Sequence, residues 1–358
     1  MKLGLGIDGG IGHIAESARL AEAAGFESCW VVELERSAFV QTAAAAMATD
    51  RIAIGTGIAL AFPRSPTITA MEAADLWSLS DGRFRLGLGA QVRRIMEARF
   101  GIPYDQPAAR MEDYVRAVRA VWAARHGRAG GHEGPFYRIS MPTFLSRTLG
   151  DIPRNPMTDP RAGMAGDPPI LMAAVGPMMS RVAGRVADGV IGHPLASPAW
   201  LAEVVAPAVA EALAEGGRPP DACPITAMPL VALSPDVDAA RRAVKLQLAF
   251  YATTRNYAGI LRLHGREAVV NEVRRAFVRG DHDRMIQAID DELLDSIAIA
   301  GHPDEARQRL AAWEGVAETA ILAVPFYGVS EAFGGELWHA VIEVFGRPDN
   351  WSTDRPRG

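Results

Sequence analysis

One stretch limits the folds open to this chain more than any other: Ile52 to Gly89, IAIGTGIALAFPRSPTITAMEAADLWSLSDGRFRLGLG. Ile52, Ile54 and Ile58 with Thr56 form a β-branched run broken by Gly55 and Gly57, the pattern of a strand. Ser65-Pro66 predicts a helix N-cap followed by proline at the first helical position, where its missing N–H leaves nothing unsatisfied. The helix carries Met71, Ala74, Leu76 and Leu79 and stops at Asp81-Gly82. Phe84 to Gly89 is a second buried strand. Two strands joined through one helix by short connections are parallel neighbours with a right-handed crossover.

The same unit recurs. Further strands are predicted at Lys2–Asp8, Ser28–Val32, Ile170–Val175, Ala187–Ile191, Pro224–Leu233 and Thr319–Pro325. Between them lie helices at Ile14–Ala24, near Ala38–Ala48, from Gly176-Pro177 to Val186, and from Ser197-Pro198 to Gly216-Gly217. Ser234-Pro235 repeats the cap signature before a helical region reaching about Asp295, another helix starts at Pro303, and Leu337–Phe345 closes the chain. Eight strands alternating with helices and without a linker predict one domain over residues 1–358, an α/β (β/α)8 TIM barrel with insertion segments.

Two insertions stand out. One helix places Met111, Tyr114, Val115, Val118, Val121 and Trp122 on an apolar face, with Arg110, Glu112, Asp113, Arg116 and Arg119 on its wet side. After it, Met141–Pro169 contains six prolines and little periodicity, and reads as a lid.

Composition narrows the function. A net charge of −5 argues against nucleic acid as partner, because phosphate binding needs a basic face. Cys29 and Cys223 form no CxxC pair, which excludes a disulfide scaffold and fits a reducing cytoplasm. No apolar run approaches ~18 residues, so no membrane span is expected. His13, His193 and His302 show no metal-ligand spacing. His302, before Pro303, reads as a helix-start residue.

Barrel enzymes bind their ligands at the C-terminal ends of the strands, so residues just after each strand are the candidates. Gly4 to Gly9 matches GxGxxG but lies inside a strand, so it reads as close packing in a narrow barrel rather than a dinucleotide site. Ala173-Ala174-Val175-Gly176-Pro177 puts small residues between a strand end and a helix start: either an anion cradle or an ordinary tight turn. Glu33, after the second strand, is the candidate catalytic residue, able to move a proton or hold a cofactor ring. The competing reading is a surface acid paired with Arg36. His193, at the end of the sixth strand, is the histidine placed to face a ligand. Trp30, Trp77 and Trp122 read as core.

The run Gly82 to Gly89, GRFRLGLG, resembles the signature of the bacterial luciferase-like superfamily. Ile52–Pro66 and Pro168–Pro194 are similar to that superfamily in the same order. Within it the pattern most resembles oxidoreductases that use the deazaflavin coenzyme F420, and Ala90–Trp122 and Ile289–Gly301 look like one subfamily of these. The resemblance implies a ring-binding bulge after the third strand with a non-proline cis peptide at Gly57–Ile58. It also implies a cofactor phosphate tail between Gly89-Ala90-Gln91 and Ala173–Pro177, with Gly192 and His193 touching the cofactor. Arg93, Arg94 and Arg99 either meet that tail or simply solvate a helix. Related dehydrogenases carry an Asp-His pair after the second strand; here Glu33 and Leu34 stand there, so a mechanism needing that histidine as base is not expected. The activity implied by the resemblance is that of an oxidoreductase transferring hydride between coenzyme F420 and a small-molecule substrate. Glu33 would place the ring or donate a proton, and the expected assembly is a homodimer. The alternatives are a reduced-FMN monooxygenase partnered by a flavin reductase, and a non-catalytic (deaza)flavin-binding barrel.

Overall fold

In the computed structural model, which describes residues 1–126, 131–140 and 166–347, eight strands close into a barrel. They are β1 (Lys2–Ile7), β2 (Ser28–Val31), β3 (Ala53–Thr56), β4 (Phe84–Gly89), β5 (Ile170–Ala173), β6 (Gly189–Ile191), β7 (Ile225–Ala227) and β8 (Thr319–Leu322). Every neighbouring pair is parallel and consecutive in sequence, and β8 returns to β1 through Lys2 opposite Thr319. The (β/α)8 expectation is met. The segment read as a lid lies outside the described residues over 141–165.

The helix starts follow the local chemistry. Ser65 Oγ accepts the N–H of Ile68 at 3.2 Å, and Ser197 Oγ accepts that of Trp200 at 3.1 Å, with proline following each cap. His302 Nδ1 accepts from Asp304 N, so it is the helix-start residue expected. Ser234 is not a cap. The helix Val237–Ala252 begins two residues later, because Asp236 reaches the N–H of Ala239 and Ser234 instead takes the N–H of Asp236.

Two further expectations are corrected, and one strand is new. The strand read over Pro224–Leu233 is two strands: β7 stops at Ala227, and Val231–Leu233 leaves the barrel to pair with Ile299–Gly301. Pro229 lies between them and has no N–H to continue a ladder. The strand Ile299–Gly301 was not anticipated, since three residues are too few to show a period. Asp113 is buried rather than wet. Its carboxylate accepts from the N–H groups of Phe136 (2.8 Å) and Tyr137 (2.9 Å) and meets His132 Nε2 at 2.6 Å, tying the hairpin of Gly131–Glu133 and Arg138–Ser140 to the helix Pro107–Arg125. The apolar face of that helix is buried as read.

Inside the barrel, Trp30 packs with Ile191 and Ile321. A Cβ at Gly55 would stand 2.2 Å from the Trp30 ring, and one at Gly4 2.9 Å from its Nε1. These glycines make room for the indole, so Gly4 serves packing and not a dinucleotide. Trp122 is buried in the main core, while Trp77 packs against it partly exposed.

Candidate active site

The mouth is built around the turn after β3. The Gly57–Ile58 peptide is cis, at the position the family pattern implied. Gly57 N–H donates to Val31 O at 2.7 Å, and Ile58 O accepts from Glu33 N at 3.2 Å, so the bulge is laced to the end of β2. A Cβ on Gly89 would meet Ile58 Cδ1 at 1.9 Å; the glycine ending β4 is what lets the Ile58 side chain lie across the barrel top.

Glu33 is not free. Its two carboxylate oxygens take a two-pronged bond from Arg64, at 2.7 Å and 2.6 Å, and accept the N–H groups of Leu60 (2.7 Å) and Ala38 (3.3 Å). The side chain is 8% exposed and that of Arg64 19%. Burial works against the Arg64 charge, but the bonds and charge of Glu33 outweigh it and raise the guanidinium above the usual arginine range. Glu72 stands 3.5 Å from Arg64 Nε, and burial pushes its carboxyl up. Glu33 therefore pairs with Arg64 and not with Arg36. The roles read for it were moving a proton or holding a cofactor ring; these bonds give it a further part, tying the turn after β3 to the end of β2.

Across the mouth, the fourth-strand loop turns at Gln91, whose φ of +58° is left-handed. Its carbonyl accepts from Tyr104 OH at 2.6 Å and its side chain caps Val92 N, which hold that conformation in place. Ala90 is buried beside it. At the end of β5, Ala174 N donates to Ile191 O, Val175 O accepts from Trp200 Nε1 at 2.7 Å, and Gly176 is the N-cap of Pro177–Val186. Among the described residues, its chain neighbours aside, no atom lies within 4 Å of where a Gly176 Cβ would stand, so none of them closes over the helix start. The first-turn N–H groups of a helix have no partner within it and favour an anion. Gly192, bonded to Thr226 O, leads into His193.

His193 sits between two phenols, with ring centroids 4.7 Å from Tyr251 and 4.3 Å from Tyr257. Burial pushes the imidazole down to about 3, so it is neutral at physiological pH. The same burial raises both tyrosines, so they stay protonated. Phe250 extends the wall and stacks on Tyr327 at 4.2 Å. Gln247, fully buried, holds the Tyr327 turn by accepting from Phe326 N and Tyr327 N. The structure thus brings together Glu33, Gly57, Ile58, Gly89 to Gln91, Ala173 to Pro177, Gly192 and His193 as ends of adjoining barrel strands. It does not gather the three arginines. Arg93 is paired with Glu97 at 2.7 Å and lies over Tyr104, Arg99 lies beside Phe100, and Arg94 is exposed. His13 is exposed on the first helix. Among the described residues no cluster of His, Cys, Asp and Glu could hold a metal ion, and no helix is long and apolar enough to cross a membrane.

The profile described as luciferase-like monooxygenase matches residues 4–319. The chain belongs to that family. Within the luciferase-like family, it is 32% identical over 322 residues to a Mycobacterium tuberculosis protein named for coenzyme F420-dependent oxidoreduction, covering 85% of this chain and 88% of the relative. Its fold matches the coenzyme F420-dependent tetrahydromethanopterin reductase of Methanopyrus kandleri with a TM-score of 0.74, at 21% identity over 96% and 97% of the two chains. It also matches the oxygenating constituent of 3,6-diketocamphane monooxygenase from Pseudomonas putida, solved with FMN, with a TM-score of 0.64, at 19% identity over 97% and 98%. These relatives are named as oxidoreductases or monooxygenases.

Sequence reading missed Arg64, Tyr104, Gln247, Tyr251, Tyr257 and Tyr327. Arg64 lies in the quoted stretch, but its partner is 31 residues away and no local period joins them. Tyr251 and Tyr257 come from an insertion whose place over β6 no spacing reveals.

Proposed function

We propose that this luciferase-like barrel is an oxidoreductase that binds coenzyme F420 for hydride transfer to or from a small organic substrate. The observation that carries the reading is the helix start at Gly176, left open by the described residues and set beside the Gly89–Gln91 loop at the end of the neighbouring strand. The residues present fit such a cofactor. A Gly176 side chain would occupy space that none of the described residues fills, and Ile58, Met228 and Trp30 give an apolar floor for a flat ring. Ala173 to Pro177 would receive the phosphate, Gly57–Ile58 would seat the ring, and Gly192 and His193 would close the far side. The coenzyme, when bound, supplies a carbon that gives or takes hydride; the protein positions it and excludes water. Glu33 acts by clamping the bulge through Arg64 and Leu60. The 32% identical relative named for the same coenzyme supports the choice.

The second reading, a reduced-FMN monooxygenase fed by a flavin reductase, is favoured by the family description itself. Titration with oxidised coenzyme F420 and with FMN separates the two. Tighter binding of F420, with a gap that narrows as salt rises, supports the first reading, because the longer anionic tail makes more screenable contacts. Equal affinities or tighter FMN binding overturn it. Turnover in the cofactor-loaded protein separates an enzyme from a binding barrel; Glu33→Ala does not, since it breaks a buried ion pair. Pairing of two copies is proposed through Val40, Met47, Ile68 and Met71, exposed on the adjoining helices Ala38–Ala48 and Pro66–Leu79; a monomer at all concentrations in sedimentation would overturn that.

A further inference from the structure

In the wall over β6, the His193 ring has one nitrogen bonded and one without a partner among the described residues. Leu195 N–H donates to His193 Nδ1 at 3.0 Å, which makes Nδ1 the acceptor and puts the hydrogen of the neutral ring on Nε2. Nε2 bonds to none of the described residues. The residue as a whole is partly exposed, and the ring lies beside those of Tyr251 and Tyr257. Burial depresses its titration, and no charged group among the described residues contributes. A carboxylate seated there would be buried without a counter-charge, which is costly, whereas a neutral acceptor loses little. The wall is also continuous with the cradle, because Trp200, held by Ser197, donates its indole N–H to Val175 O.

We propose that His193 is a specificity-determining residue: its Nε2–H donates to the oxygen of a neutral, planar carbonyl ligand lying against Tyr251 and Tyr257. That this ligand is the substrate rests on the function proposed above; that the ligand binds does not. A neutral donor flanked by aromatic faces selects for an uncharged flat acceptor on two counts, since the rings favour offset or edge contact with another π-system and the lone N–H fixes its orientation.

The test uses the full chain labelled with [15N]histidine, with acetophenone as ligand and benzoate as its charged counterpart of similar shape. In the unligated protein, the His193 signals, assigned by their loss in His193→Gln, should report a hydrogen on Nε2 from about pH 5 to about pH 8. Acetophenone should shift the Nε2 signal saturably. His193→Phe, which keeps a flat ring without the donor, should weaken acetophenone about five- to tenfold, the worth of one neutral hydrogen bond, and His193→Gln should restore part of it. A hydrogen on Nδ1, a charged ring at pH 6, unchanged affinity in His193→Phe, or benzoate binding as well as acetophenone would each overturn the proposal. None of these measurements involves the cofactor. A protein that binds acetophenone through His193 but not coenzyme F420 keeps this inference and loses the proposed function; the reverse result does the opposite.

Discussion

Arg64→Met puts the clamp under the bulge to a quantitative test. Arg64 and Glu33 share two short bonds, and Glu33 is the more deeply buried at 8% exposure against 19%. Removing the guanidinium leaves a carboxylate held by Leu60 N and Ala38 N but with no counter-charge, and stranding one member of a buried pair costs about 3–5 kcal/mol. Glu33→Gln is the milder change. The amide oxygen still accepts from Leu60 N, and Arg64 keeps Glu72 at 3.5 Å and some contact with water, so about 1–3 kcal/mol is expected. With both substitutions together no charge is stranded by the other, and the double variant should be no less stable than Arg64→Met alone, giving a coupling of about 2 kcal/mol or more. Urea unfolding of the four proteins measures all three terms. A loss under about 1 kcal/mol for Arg64→Met, or simple additivity, would refute the view that the pair anchors the turn after β3.

Four further outcomes are expected. Gly176→Asp adds bulk and negative charge where none of the described residues beyond its chain neighbours stands within 4 Å, so coenzyme F420 affinity by titration should fall at least about tenfold while urea unfolding changes little. Gly87→Ala would put a Cβ 1.8 Å from Thr56 O and 2.8 Å from Ile191 Cδ1, prying β3 from β4, and should cost about 3 kcal/mol or more in the same unfolding assay. His193 titrates near 3 folded against an ordinary value of 6.5, so the unfolded chain takes up its proton first; the stability it contributes is complete above pH 6.5 and is lost as pH falls toward 3. His193→Gln should therefore remove about one proton from the pH dependence of unfolding between those limits. Burial pushes the Cys29 thiol up to about 12 and Cys223 to about 11, so neither should react with a disulfide reagent at neutral pH until urea unfolds the chain.

Much of the architecture was legible because it is written in short-range patterns. β-Branched runs, Ser-Pro caps and glycine stops located seven of the eight barrel strands and most helix starts, since each reports a local backbone preference. The helix Pro107–Arg125 announced its buried face through a 3.6-residue period, but the same period misplaced Asp113. A carboxylate on the polar side of a helix looks solvated until a hairpin some twenty residues later brings two N–H groups and an imidazole to it. The β7 error has the same origin: Val231–Leu233 is a strand, yet which sheet it joins depends on Ile299–Gly301, far along the chain.

The sequence by itself determined the barrel and the glycine at the head of Pro177–Val186, and the family resemblance added the cis bond at Gly57–Ile58. Each of these rests on residues within one strand–helix connection, and such connections are set by steric limits on φ and ψ and by hydrophobic period. Only the tertiary structure decided what the polar groups do. Pairing of β2 with β3 brought Arg64 against Glu33, and the insertion Val237–Ala252 with Arg255–Tyr257 laid two phenols on His193. The strength of an electrostatic interaction depends on burial and on partners from anywhere in the chain, and neither is encoded in the residues beside the charge.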